Sequence, residues 1–222
     1  MPLVRKTPPP AAAPASRSGD AIGVDFAGAI AHLRTGTAEE RRVAARALGA
    51  PADPAAARDG TKALVNALTR EPVPRVREAI FTSLVRIGGR ESVDAVVPFL
   101  RVDDANLRTG ALDALRAMSG AVGPVLPSLL SDPDPDVRLL ACDLARDLPA
   151  SEANRLMCGV LAEEPEANVC AAAIDVLVEI GEAEALPFLR DCAGRFNDVT
   201  FLTFAAKVAM ERIASRRPSG HA

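Results

Sequence analysis

The sequence predicts an all-α protein, a solenoid of about six antiparallel helix pairs, and three observations predict it. Apolar residues recur at helical spacing in copies about 31 residues apart along most of the chain. The hydrophobic 49% is mainly Ala, Leu and Val, with seven Phe and neither Trp nor Tyr. Small aliphatics suit closely packed helices, whereas strands favour aromatic and β-branched residues. Acidic, proline-containing turns separate the helical stretches, as in Ser131–Ala145, SDPDPDVRLLACDLA.

The repeat emerges when Val76-Arg77, Leu107-Arg108, Val137-Arg138 and Val169-Cys170 are aligned, at steps of 31, 30 and 32 residues. With the first residue of each pair as position zero, position +4 is Ile80, Ala111, Ala141 and Ala173. Position +8 is Leu84, Leu115, Ala145 and Leu177, and position +11 is Ile87, Met118, Leu148 and Ile180. Spacings of 0, 4, 8 and 11 define one buried stripe on a helix. The small residues at +4 let a neighbouring helix come close.

Each copy has a preceding helix: 61–70, 91–101, 121–131, 151–162 and 182–193. Pro98, Pro127 and Pro187 interrupt three of these, and the expectation is a kink at each. The turns carry Asp103-Asp104, Asp132/Asp134/Asp136 and Glu163-Glu164-Pro165-Glu166, acids suited to capping helix N-termini. Gly49, Gly88, Gly120 and Gly181 follow second helices, where a left-handed residue is expected, and Pro149 stops the fourth copy.

The ends are less regular. Residues 24–49 form a first pair followed by a loop at 50–56, and the last pair is 182–194 with 198–214. Atypical outer copies are expected in a repeat stack. Residues 1–19 are rich in Pro and Ala and read as a disordered arm, 20–214 as the repeat domain, and 215–222 as a flexible tail.

Helix pairs of this length, a D-x-D-x-x-V-R junction and an L-x-x-I-G ending together resemble the HEAT repeat family over about residues 24–214. The likeness extends to the short bacterial repeats of phycobilisome-lyase type. It implies a right-handed HEAT-like superhelix with second helices on the concave face. The family includes scaffolds, adaptors, chromophore lyases and a few enzymes. The implied function is a non-enzymatic adaptor or assembly scaffold; the alternative is a chromophore-lyase-like protein or cofactor-insertion chaperone.

The resemblance also implies arginine–acid pairing along the stack, through Arg77, Arg108 and Arg138, in the middle copies only. Asp104 and Asp134 each precede an arginine by four residues, which suggests local pairing across the junction.

Composition excludes other classes. The net charge is −3, and the basic tails leave −8 on residues 20–215, opposite to what a phosphate backbone requires. Nucleic acid is therefore not an expected partner. No apolar run nears the roughly 20 residues that span a bilayer, so a cytoplasmic protein without a membrane is expected. The two histidines, His32 and His221, and the missing nucleotide and hydrolase motifs imply no catalytic set, no metal and no cofactor. Cys142, Cys158, Cys170 and Cys192 read as packing residues, with a shared thiol or metal site as the alternative.

One column on the second helices is off the buried stripe and charged. Position +6 holds Asp113, Asp143 and Asp175, position +9 holds Arg116 and Arg146, and +10 in the last copy is Glu179. These six residues read either as a solvated face with local ion pairs or as the contact strip for another protein or peptide with a charged surface. Asp113–Arg116 and Asp143–Arg146 are also spaced for i,i+3 ion pairs.

Overall fold

The computed structural model describes residues 25–216, and every regular element among them is helical. Residues 1–24 and 217–222 lie outside the described residues, and with them the expected arm 1–19 and most of the expected tail. Ser215 and Arg216 belong instead to the last helix.

Six helix pairs stack in chain order. They are α1 (Phe26–Thr35) with α2 (Ala38–Leu48), and α3 (Pro54–Leu68) with α4 (Pro74–Ile87). The third pair is α5 (Gly89–Val96), extended by a 3₁₀ turn at Val97–Arg101, with α6 (Ala105–Ala117). The fourth is α7 (Ser119–Val122) and α8 (Leu126–Leu130), joined by a 3₁₀ turn, with α9 (Pro135–Leu144) and a 3₁₀ turn at Ala145–Asp147. Then come α10 (Ala150–Glu163) with α11 (Ala167–Ile180), and α12 (Ala185–Arg195) with α13 (Thr200–Arg216). The second helices α2, α4, α6, α9, α11 and α13 pack in sequence as one layer, and the first helices form the other. This is an α-solenoid.

The stripe read from the sequence is the seam between these helices. Ile80, Leu84, Ala111, Leu115, Ala141, Ala145, Ala173 and Leu177 are all 0% exposed. Position +11 is looser: Met118 is buried, whereas Ile87, Leu148 and Ile180 are half-buried at helix ends.

Proline acts according to its place in each helix. Pro98 and Pro124 each sit where α-helix gives way to 3₁₀ turns, because the ring removes a donor and crowds the preceding turn. Pro187 does not kink α12. That helix starts at Ala185, so Pro187 lies in the first turn, where no intrahelical N–H bond is lost. The loop expected at 50–56 is shorter, because Asp53 caps α3 (Oδ1 accepts from the Ala56 N–H at 2.8 Å) and Pro54 fills its first position. Of the four glycines expected to be left-handed, only Gly88 is, at φ 65°. Gly49 and Gly181 are needed for space instead: a Cβ at Gly49 would fall 2.6 Å from the Ser83 Cβ.

A recurring clamp joins the repeats at the turns. Glu71, Asp132 and Glu164 occupy equivalent positions five residues before the buried valines Val76, Val137 and Val169. They are the buried acids, 4%, 6% and 7% exposed. Each accepts a turn N–H, from Val73, Asp134 and Glu166, at 3.0 Å. Each then receives an arginine from the preceding repeat. Arg41 pairs with Glu71 through two hydrogen bonds (2.7 and 2.8 Å), and Arg138 pairs likewise with Glu164 (2.8 and 2.7 Å). Arg101 donates to Asp132. The same arginine column also ties its own turn, since Arg77, Arg108 and Arg138 donate to the carbonyls of Glu71, Val102 and Asp132 at 2.5, 2.7 and 2.8 Å.

Pairing therefore begins in the first copy, with Arg41, and is not confined to the middle of the array. It also runs from repeat to repeat rather than locally. Asp104 receives Arg77 of the preceding repeat (2.8 Å), because Val102 stands where the buried acid would be. Asp134 caps Asp136. Arg108, with Asp132 already taken by Arg101, is left with its carbonyl bond. In the fifth copy Cys170 replaces the arginine, and Arg195 reaches in from α12 to the carbonyls of Leu161, Ala162 and Glu164.

Candidate protein-interaction face

The charged column lies on the second-helix layer, and its six residues join in a single chain of ion pairs. Asp113 on α6 accepts from Arg116 at 3.1 Å. Arg116 also reaches Asp143 on α9, and Asp143 accepts from Arg146 at 3.2 Å. Arg146 then reaches Glu179 and, at 4.0 Å, Asp175, both on α11. Both i,i+3 pairs legible in the sequence are present. The links between helices are what the sequence did not reveal, and they make the column a staple across three repeats. Its arginines are held between carboxylates, so the strip presents neutralised pairs more than free charges. Asp175 and Asp113 are the most open members, with side chains 73% and 62% exposed.

Beside the first of these residues the same layer opens into a groove of about 530 Å³ between α4 and α6. Pro74, Phe81, Val85, Ala114 and Ala117 give it an apolar lining, and Glu78, Thr82, Asn106, Asp113 and Arg77, the last already paired with Asp104, give it a polar edge. Gly110 shapes it. A Cβ there would sit 2.5 Å from the Phe81 ring, so only glycine lets that ring lie across α6. Phe81 is held from behind by Phe99, edge to face, with ring centroids 6.3 Å apart. The groove is not legible in the sequence. Its one signal was a glycine inside a helix, and its partner ring comes from the preceding repeat.

The clamp carboxylates are ionised groups in buried places. Burial pushes the Glu71 and Glu164 carboxyls up, but Arg41 and Arg138 and the turn N–H groups outweigh it and hold both below the ordinary 4.5. Asp104 is held below its ordinary value first by the Leu107 N–H and then by Arg77. The guanidinium groups of Arg41 and Arg138 shift the opposite way, since each is bonded to its glutamate.

All four cysteines are free and buried. Burial raises the Cys142 thiol to about 12 and the Cys158 thiol to about 11. The Cys170 thiol donates to the Glu164 carbonyl at 3.6 Å; the neighbouring Cys192 thiol raises Cys170, while Cys170 and Arg195 lower Cys192 to about 7. Among the described residues no group of three or more His, Cys, Asp or Glu could hold a metal ion, and no helix is long and apolar enough to cross a membrane.

Comparison with curated proteins finds no match. Among solved structures, two engineered proteins are 20% and 18% identical with TM-scores of 0.40 and 0.41. Each covers 86% of this chain and 97% or 99% of its own. The complex of CpcE and CpcF of phycocyanin lyase from Nostoc sp. PCC7120 is 18% identical, with a TM-score of 0.37, covering 96% of this chain and 100% of that one. The family model of HEAT repeats matches residues 27–116 and 123–202. With that match over most of the chain and six stacked helix pairs, the protein belongs to the HEAT repeat family.

Proposed function

We propose that this protein is a non-enzymatic interaction module, an adaptor or assembly scaffold, that holds a protein partner along its second-helix layer. The observation that carries this reading is the apolar groove between α4 and α6, floored by Phe81 and Val85, next to the ion-pair staple. An apolar recess with a polar edge suits an anchoring side chain, and such anchors supply most of the energy at protein interfaces. Glu78 and Asp113 at its edge favour an anchor flanked by lysine or arginine. The staple fixes the spacing of α6, α9 and α11, so the surface beyond the groove meets the partner already shaped.

The test is a double substitution at the exposed rim, Thr82→Arg with Ala117→Arg, in the full chain. Partners that co-purify with the wild-type protein are expected to be lost while the circular dichroism spectrum stays helical. Exchanging Asp143 and Arg146 examines the staple's surface in the same assay. Retention of every partner by both folded variants overturns the reading.

A further inference from the structure

We infer that a second docking cleft, on the first-helix layer between α1 and α3, takes an acidic amphipathic peptide segment of a partner protein. The cleft has a volume of about 870 Å³ and belongs to neither the groove nor the staple described above.

Its floor is apolar: Ile30 and Leu33 from α1, Ala63 and Ala67 from α3, and Pro72 from the turn. Its rim is basic. Lys62 on α3 and Arg70 in the turn just past its end lie eight residues apart, with Asn66 between them, and Arg34 stands opposite at the end of α1. These three cations have no carboxylate partner among the described residues, whereas Arg41 in the same wall is bound to Glu71. Arg70 donates to the Asn66 carbonyl at 3.4 Å, a contact that leaves its charge uncompensated. Against the three stands one acid, Asp59.

An excess of positive charge here is out of keeping with the rest of the molecule, which is acidic over residues 20–215. Charge complementarity therefore selects an acidic occupant. The apolar floor selects among acidic ligands: a phosphate backbone would leave it unfilled, and no aromatic ring lines it for bases to stack on. A helix with leucines on one face and glutamates flanking them satisfies both floor and rim. The chain's own N-terminal segment does not fit. Residues 1–24 carry Arg5, Lys6 and Arg17 against Asp20 and Asp25 follows only at the first cap, so the segment has the same sign as the cleft. With this site and the α4–α6 groove on opposite layers, one molecule can hold two partners at once.

The experiment uses the full chain and a fluorescein-labelled synthetic helix of about four turns, with Leu at helical spacing and Glu elsewhere. Fluorescence anisotropy is expected to report saturable binding that weakens with salt. Lys62→Glu with Arg70→Glu is expected to weaken it roughly tenfold or more at unchanged helicity. Arg155→Glu with Arg190→Glu, which makes the same change in net charge elsewhere, is expected to leave it intact. Thr82→Arg with Ala117→Arg, which blocks the other groove, should also leave it intact, so the two surfaces stand or fall separately. No binding, equal binding by the Lys62/Arg70 variant, or equal binding of a peptide with Lys for Glu overturns the proposal. So does a self-association that the Lys62/Arg70 variant abolishes, which would give the cleft to a second copy. A strong gain in affinity on removal of residues 1–19, which would give it to the chain's own arm, overturns it as well.

Discussion

Arg138 and Glu164 meet across consecutive repeats in a two-pronged pair, at 2.8 and 2.7 Å, with side chains only 12% and 4% exposed. The arginine also closes its own turn through the Asp132 carbonyl, and the glutamate caps the Glu166 N–H. Removing one partner would strand a buried charge. Arg138→Ala is expected to lower unfolding free energy by about 3 kcal/mol. Arg146→Ala, on the half-exposed staple, is expected to cost about 0.5 kcal/mol. Urea titrations of the two variants separate clamp from surface.

Acid should loosen the array through the same clamp. Glu71, Glu164 and Asp104 have folded values below their ordinary ones, so the unfolded chain binds more protons in the acidic range. Their contribution is fully present above the unfolded values and is lost as pH falls through the folded ones. Stability is expected to be level near neutrality and to decline below about pH 5. Glu164→Gln should lower the neutral plateau and flatten that decline, as followed by thermal melts across pH.

The packing of Phe81 on Gly110 makes a sharp steric prediction. Gly110→Ala places a methyl 2.5 Å from the ring, so Phe81 must leave its place. A loss of about 1–3 kcal/mol is expected despite the better helix propensity of alanine. Partner binding at the groove should fall more than stability does, which titration of folded protein against the partner would measure.

Ser83 is expected to behave in the opposite sense. Its hydroxyl is buried beside Gly49 and lacks a hydrogen-bond partner. Ser83→Ala removes an unsatisfied oxygen while keeping the Cβ, and a gain of about 1 kcal/mol is expected in denaturant unfolding.

The residues that were legible in sequence are those whose role depends on near neighbours along the chain. The stripe of Ile80, Leu84 and their equivalents follows helical period alone, and all are buried as the period requires. The Asp113–Arg116 and Asp143–Arg146 pairs follow from i,i+3 spacing. Pro187 was misleading, because whether a proline kinks a helix depends on where the helix starts. Arg195 was invisible for a different reason. It stands in for an arginine absent at Cys170, on the preceding helix and 25 residues earlier, and no local spacing connects the two.

The sequence by itself determined the all-helical class, the six pairs, the buried seam and the charged column on the second helices. Periodicity and repetition are properties of a chain read in one dimension, and each helix buries the face its own pattern marks. Only the tertiary structure decided which carboxylate each arginine meets. It alone made the column a staple from Asp113 to Glu179, and it placed the groove at Phe81 and the basic cleft at Lys62 and Arg70. Contacts between helices from successive repeats depend on the offset between neighbours, and that offset is set by packing around residues as small as Gly110.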